Sequence, residues 1–153
     1  MAPTPLLYDA PGFGVGEVWL DVDGRVFYAE LPRPRRVDGP IRHHPLTRRL
    51  SAFFSGRRDD FADVELEHPD GFYGECVRAL RTVGWGEVVT YGELAALAGR
   101  PGAARAAGTF CGRCDLSPFV PTHRVVSAGG IGSYGGLGVE YKRRMLLLEG
   151  VRL

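Results

Sequence analysis

At 153 residues, 44% hydrophobic and 24% charged, the chain has the size and composition of one ordinary globular domain or two small ones. Its apolar runs fall short of the roughly 18–20 residues a membrane span needs, and the opening MAPTPLLYDAPG has neither the basic start nor the apolar stretch of a secretory signal. The expectation is therefore a soluble intracellular protein, placed in the cytoplasm. Net charge is only +1, but residues 1–70 carry −3 and residues 71–153 carry +4, a basic C-terminal part of the kind that suits a nucleic-acid partner.

In chain order, GEVWLDVDGRVFYAELPRP alternates apolar and polar residues about Asp23-Gly24, which predicts a β-hairpin. RPRRVDGPIRHHP reads as a loop, and PLTRRLSAFFSG as a helix closed by glycine. A loop or strand, RRDDFADVELEHPDG, leads to a second helix over Phe72–Val83. In VTYGELAALAG, Thr90 and Glu93 have capping-box spacing at the start of a short amphipathic helix. RPG turns the chain into AARAAGTFCGR, a helix whose small side chains admit another surface at close range. Helix, tight turn and helix together suggest a helix-turn-helix. VPTHRVV, the glycine-rich SAGGIGSYGGLG and a basic helix, VEYKRRMLLLEG, complete the chain. The fold class expected is α/β (α+β): a small sheet-plus-helix domain over residues 1–70, then a mostly helical domain over 71–153.

The three cysteines, Cys76, Cys111 and Cys114, are too few for a disulfide framework. CGRC has metal or redox spacing but supplies only half of a tetrahedral zinc site, and a free cysteine more commonly packs as a small hydrophobe. No metal or cofactor is expected.

The ordered pattern GEVVTYGELAALAGRPGAARAAG, VPTHRVVSAGGIGSYGG and LLLEG resembles the O6-alkylguanine-DNA alkyltransferase family. In that family a Pro-Cys-His-Arg cysteine, activated through water by a histidine and a distant glutamate, accepts the alkyl group of a flipped guanine. The resemblance maps the cysteine onto Thr122, the histidine onto His123 and the glutamate onto Glu149. It assigns Thr90, Tyr91, Ala103, Ala104, Arg105 and Arg124 to the DNA side, with Arg105 entering the base stack from the minor groove. Tyr91, Thr122, Val125, Tyr134, Gly135 and Gly136 would form the base pocket, the Thr122 and Val125 carbonyls accepting from the guanine edge. A second departure is Cys114, which stands where the family usually has an asparagine bracing the turn.

A threonine hydroxyl is far less acidic than a thiol and is crowded by β-branching, so self-alkylation at Thr122 is not expected. The resemblance then implies an alkyltransferase-like protein, a monomer that binds alkylated guanine in double-stranded DNA and presents it to other repair proteins, such as those of nucleotide-excision repair. Two readings stand beside it: water activated by Thr122, His123 and Glu149 to act on a flipped base, or transfer to Cys111 or Cys114. Without the motif, Arg105 reads as a solvated helix charge, Tyr91 and Tyr134 as partly buried aromatics, and His123 as a structural residue.

Overall fold

The computed structural model describes residues 5–35, 37, 41 and 43–153. Much of the Pro/Arg-rich loop before the first helix lies outside them. The architecture is mixed α/β, as the sequence pattern indicates, and divides into two compact units: Met1–Glu67 with Asp115–Pro118, and His68–Cys114 with Phe119–Leu153.

In the first unit, β1 (Pro5–Ala10), β2 (Gly14–Leu20) and β3 (Val26–Arg33) form an antiparallel sheet in that order. The expected hairpin is β2–β3, turning through Asp21–Arg25 with Gly24 at φ +82°. Asp21 fixes this turn by accepting from the backbone N–H groups of Asp23 and Arg25, both at 2.9 Å. The strand β1 lies before the predicted hairpin and outside the elements that the sequence pattern indicates. Gly16 of β2 lies under the Tyr8 ring of β1, where a Cβ would sit 2.2 Å from Cζ. Helix α1 (Pro45–Phe54) packs on β1, and Leu50, Phe53 and Phe54 join Tyr8, Val18 and Phe61 in the core. RRDDFADVELEHPDG is mostly irregular, but Glu65 and Glu67 exchange backbone hydrogen bonds with Val26. Asp115 also belongs to this unit, its carbonyl accepting from Ala29 N–H at 2.7 Å.

The second unit contains α2 (Phe72–Leu80), α3 (Tyr91–Leu97), α4 (Ala104–Arg113) and α5 (Val139–Leu148). The capping box forms: Thr90 Oγ1 accepts from Glu93 N–H at 3.1 Å, and Glu93 Oε1 from Thr90 N–H at 2.9 Å. Between α3 and α4 the chain turns through Gly99 (φ +88°) and Gly102 (φ +89°), conformations that favour glycine. The two helices pack on each other, burying Leu94, Ala95, Ala107 and Phe110. A short parallel pair, β4 (Val89–Thr90) with β5 (Val125–Val126), ties the start of α3 to the THR segment. No helix among the described residues is long and apolar enough to cross a membrane.

Candidate nucleic-acid interface and buried relay

Thr122–Arg124 forms a single 3-10 turn between Pro121 and β5. All three side chains are buried, His123 completely. The β4–β5 register sets Val89 beside Val125 and Thr90 beside Val126, which brings the N-terminus of α3 next to this turn.

Beneath the turn lies a closed polar cluster. His123 Nε2 is 2.8 Å from Glu149 Oε2, both side chains being 0% exposed. Arg124 grips the same carboxylate with two nitrogens, Nε donating to Oε1 at 2.9 Å and Nη2 to Oε2 at 2.8 Å. Its Nη1 donates to the Val83 carbonyl at 2.7 Å, and Gly86 N–H donates to Glu149 Oε1 at 3.2 Å. Burial alone would push Glu149 up, but the hydrogen bonds and charges of His123 and Arg124 outweigh it and hold the carboxyl at about 2. Burial pushes His123 down, against the pull of Glu149. The cluster at neutral pH is therefore Glu149⁻, Arg124⁺ and neutral His123. An ionised carboxylate can only accept, so Nε2 carries the imidazole proton and Nδ1 is the basic nitrogen.

This places Arg124 elsewhere than the DNA side to which the sequence resemblance assigned it. It is 4% exposed, and its guanidinium donates to the Glu149 carboxylate and the Val83 carbonyl.

Above the turn, Thr122 Oγ1 and Tyr134 Oη share a hydrogen bond of 2.8 Å. Tyr134 leads into a 3-10 turn over Gly135–Leu137, whose glycines are exposed. Tyr91, half-buried at the start of α3, approaches the same loop: a Cβ on Gly132 would lie 3.2 Å from its hydroxyl. The structure thus gathers Thr90, Tyr91, Thr122, Val125 and Tyr134 about one turn. At the start of α4, the N-cap Ala103 and Ala104 are half-buried, whereas Arg105, Ala106, Thr109, Gly112 and Arg113 along the helix are exposed. That face combines small residues with two cations, which suits close approach to a polyanion. Arg105 makes no ion pair among the described residues.

Lys142 lies outside the site residues that the sequence pattern suggests. It is the one lysine beside eighteen arginines in this chain, and it is 0% exposed. Its Nζ donates to the Ser133 carbonyl at 3.1 Å and lies 5.8 Å from the Tyr91 ring centroid and 5.7 Å from that of Tyr134. The lone lysine in an arginine-rich chain was the available signal. Cys114 caps the C-terminus of α4. Burial pushes the thiols of Cys111 and Cys76 up to about 12 and about 11, and no group of three or more His, Cys, Asp or Glu among the described residues could hold a metal.

Residues 71–151 match the family model described as 6-O-methylguanine DNA methyltransferase, DNA binding domain. The chain belongs to this family. It is 38% identical over 106 residues to the methylated-DNA–protein-cysteine methyltransferase of Metallosphaera sedula, an alignment covering 69% of this chain and 66% of that protein. To the Homo sapiens protein of the same name it is 38% identical over 133 residues, covering 81% and 64% respectively. The chain thus spans slightly less than two-thirds of the length of these curated relatives. Among solved structures, Mycobacterium tuberculosis O6-methylguanine methyltransferase matches 99% of this chain and 95% of its own with a TM-score of 0.81 and 28% identity. The Mycobacterium tuberculosis OGT in complex with DNA covers 95% of this chain and 92% of its own, at TM-score 0.77 and 32% identity. These family likenesses agree with the mixed α/β architecture and include the buried relay and α3–α4 within the matched segment.

Proposed function

We propose that this protein binds O6-alkylguanine in duplex DNA, turns the base into the space bounded by Tyr91 and Tyr134, and holds it without accepting the alkyl group. The observation that carries the reading is Thr122, which stands at the resemblance's acceptor position with its hydroxyl bonded to Tyr134. A threonine hydroxyl beside a neutral histidine is not a nucleophile comparable to a thiolate. Residues 71–153 form the DNA-binding part, with α3 and α4 as the helix-turn-helix and α4 directed at the minor groove. There a wedge side chain unstacks a step and a flipped base leaves the duplex. Support comes from the match to a DNA-binding domain and from a relative of similar fold crystallised with DNA. On this reading the protein is a cytoplasmic monomer that marks the lesion for another repair system, such as nucleotide-excision repair. Transfer to Cys111 is disfavoured, because a thiol pushed up to about 12 is not ionised at neutral pH.

One observation favours a second reading. Ionised Glu149 fixes His123 in the tautomer whose Nδ1 is basic, the form a general base requires. Release or modification of a base on damaged duplexes would support this hydrolytic alternative.

The test of the leading reading is equilibrium binding to two duplexes of one sequence, with and without a single O6-methylguanine. Tighter binding to the damaged duplex is expected, and equal affinity contradicts it.

A further inference from the structure

Lys142 is buried on α5 at the meeting point of the loop and the two pocket tyrosines. Its ammonium donates to Ser133 O at 3.1 Å and faces both rings at less than 6 Å. A Cβ on Gly132 would come within 3.4 Å of Nζ and 3.2 Å of the Tyr91 hydroxyl, so loop, lysine and Tyr91 are in close register. The titratable groups facing it are Tyr91 from α3, Cys111 from α4, His123 from the 3-10 turn and Tyr134 from the loop. Burial holds Tyr91 and Cys111 protonated and His123 neutral. No carboxylate pairs with Nζ among the described residues.

A buried ammonium without a counter-ion opposes folding, and here burial pushes it down to about 8. The other eighteen basic positions are arginine. Arginine would not serve at this one: its planar fork is larger, carries five donors, and does not lose its proton in this range.

We propose that Lys142 is a positioning residue of the base pocket, its ammonium holding the Gly132–Tyr134 loop and the rings of Tyr91 and Tyr134 in the base-receiving arrangement, and that loss of its proton loosens that arrangement. This rests on the base-pocket reading above. Both the charge-assisted bond to Ser133 and the attraction to the ring faces require the protonated form. The sign for stability is opposite. The unfolded chain keeps its lysine proton up to about pH 10.5 and the folded chain only to about 8, so the fold gains stability as pH rises through that window.

The experiment measures lesion preference, the ratio of affinities for damaged and undamaged duplex, for wild type and Lys142→Met at pH 7 and pH 9. Wild type is expected to lose preference by about fivefold between pH 7 and pH 9. Lys142→Met is expected to show the lower value at both pH values while unfolding no more easily than wild type at pH 7. Because the chain has one lysine, the Cε–H signals of Lys142 form a single NMR probe, expected to titrate near pH 8 and to shift when damaged duplex binds. A wild type with lesion preference that Lys142→Met retains at both pH values overturns the inference alone. A wild type with no lesion preference at any pH overturns the pocket reading and the inference with it. Should Lys142→Met fail to fold, wild-type preference unchanged from pH 7 to pH 9 still overturns the proposal.

Discussion

Replacing Glu149 with alanine is expected to cost the fold about 3–5 kcal/mol, the penalty of breaking a buried ion pair from one side. The carboxylate takes hydrogen bonds from Arg124, His123 and Gly86, and its side chain is 0% exposed. Without it, Arg124 remains buried with a full charge, its Nη1 still donating to the Val83 carbonyl. Removing both charges is expected to be milder: Arg124→Met with Glu149→Leu leaves no orphaned ion, and apolar packing offsets part of the loss. Urea denaturation of the three proteins measures the contrast, and equal losses in single and double variants would contradict it.

The pH dependence follows from the same cluster. Glu149 has its ordinary value near 4.5 unfolded and about 2 folded. Its contribution is therefore complete above about pH 4.5 and is lost as pH falls through that window, amounting to roughly 3 kcal/mol. His123, held neutral by burial, acts in the same direction: the unfolded chain takes up a proton below about 6.5 that the folded one resists. Wild type should lose stability steadily from pH 6 downward, with the steepest part below pH 4.5, and Glu149→Gln should lose less in that lower part, where Asp59 and other carboxylates held below their ordinary values still contribute.

Arg105→Ala is expected to reduce affinity for damaged duplex by about tenfold or more, the scale of a single hot-spot side chain, while leaving the fold intact. Arg105 sits in the first turn of α4, is exposed, and makes no ion pair among the described residues. Alanine is also the better helix former, so lost binding would not reflect lost structure. Arg105→Lys separates two modes of contact. A phosphate contact needs only the charge and survives the change, whereas a wedge in the base stack needs the flat guanidinium and is expected to lose most of its effect. Loss of binding accompanied by a lowered melting temperature would contradict this assignment.

Much of the fold is legible in local sequence. Asp23-Gly24 marks the hairpin, Thr90 and Glu93 mark the start of α3, and Gly99 and Gly102 mark the turn before α4. What local patterns miss depends on distant partners. Local sequence gives no sign that Arg124 is buried, because the carboxylate that pairs with it is twenty-five residues away. The β4–β5 pair is two residues long on each side, too short for alternation to reveal. Asp115–Pro118 returns to the first unit through contacts such as Asp115 with Ala29, so a boundary drawn by composition alone cannot include it. The pairing of His123 with Glu149 is suggested only by the resemblance of a motif, and the structure supplies its distance of 2.8 Å. Lys142 was visible as the chain's only lysine, but its meaning required knowing that it is buried between two tyrosines.

On the proposed reading, the Thr122 hydroxyl stands where a thiol would react, near a neutral His123 paired with ionised Glu149 and a buried Lys142 ammonium that faces two tyrosine rings. On that reading, such a site holds a flat base without taking a methyl group from it. The measurement that tests this most directly is the intact mass of the protein after incubation with an excess of duplex carrying O6-methylguanine, alongside recovery of the duplex. The expected result is an unchanged protein mass and an O6-methylguanine that remains in the DNA. A protein heavier by one methyl group, with the guanine restored, would contradict the account.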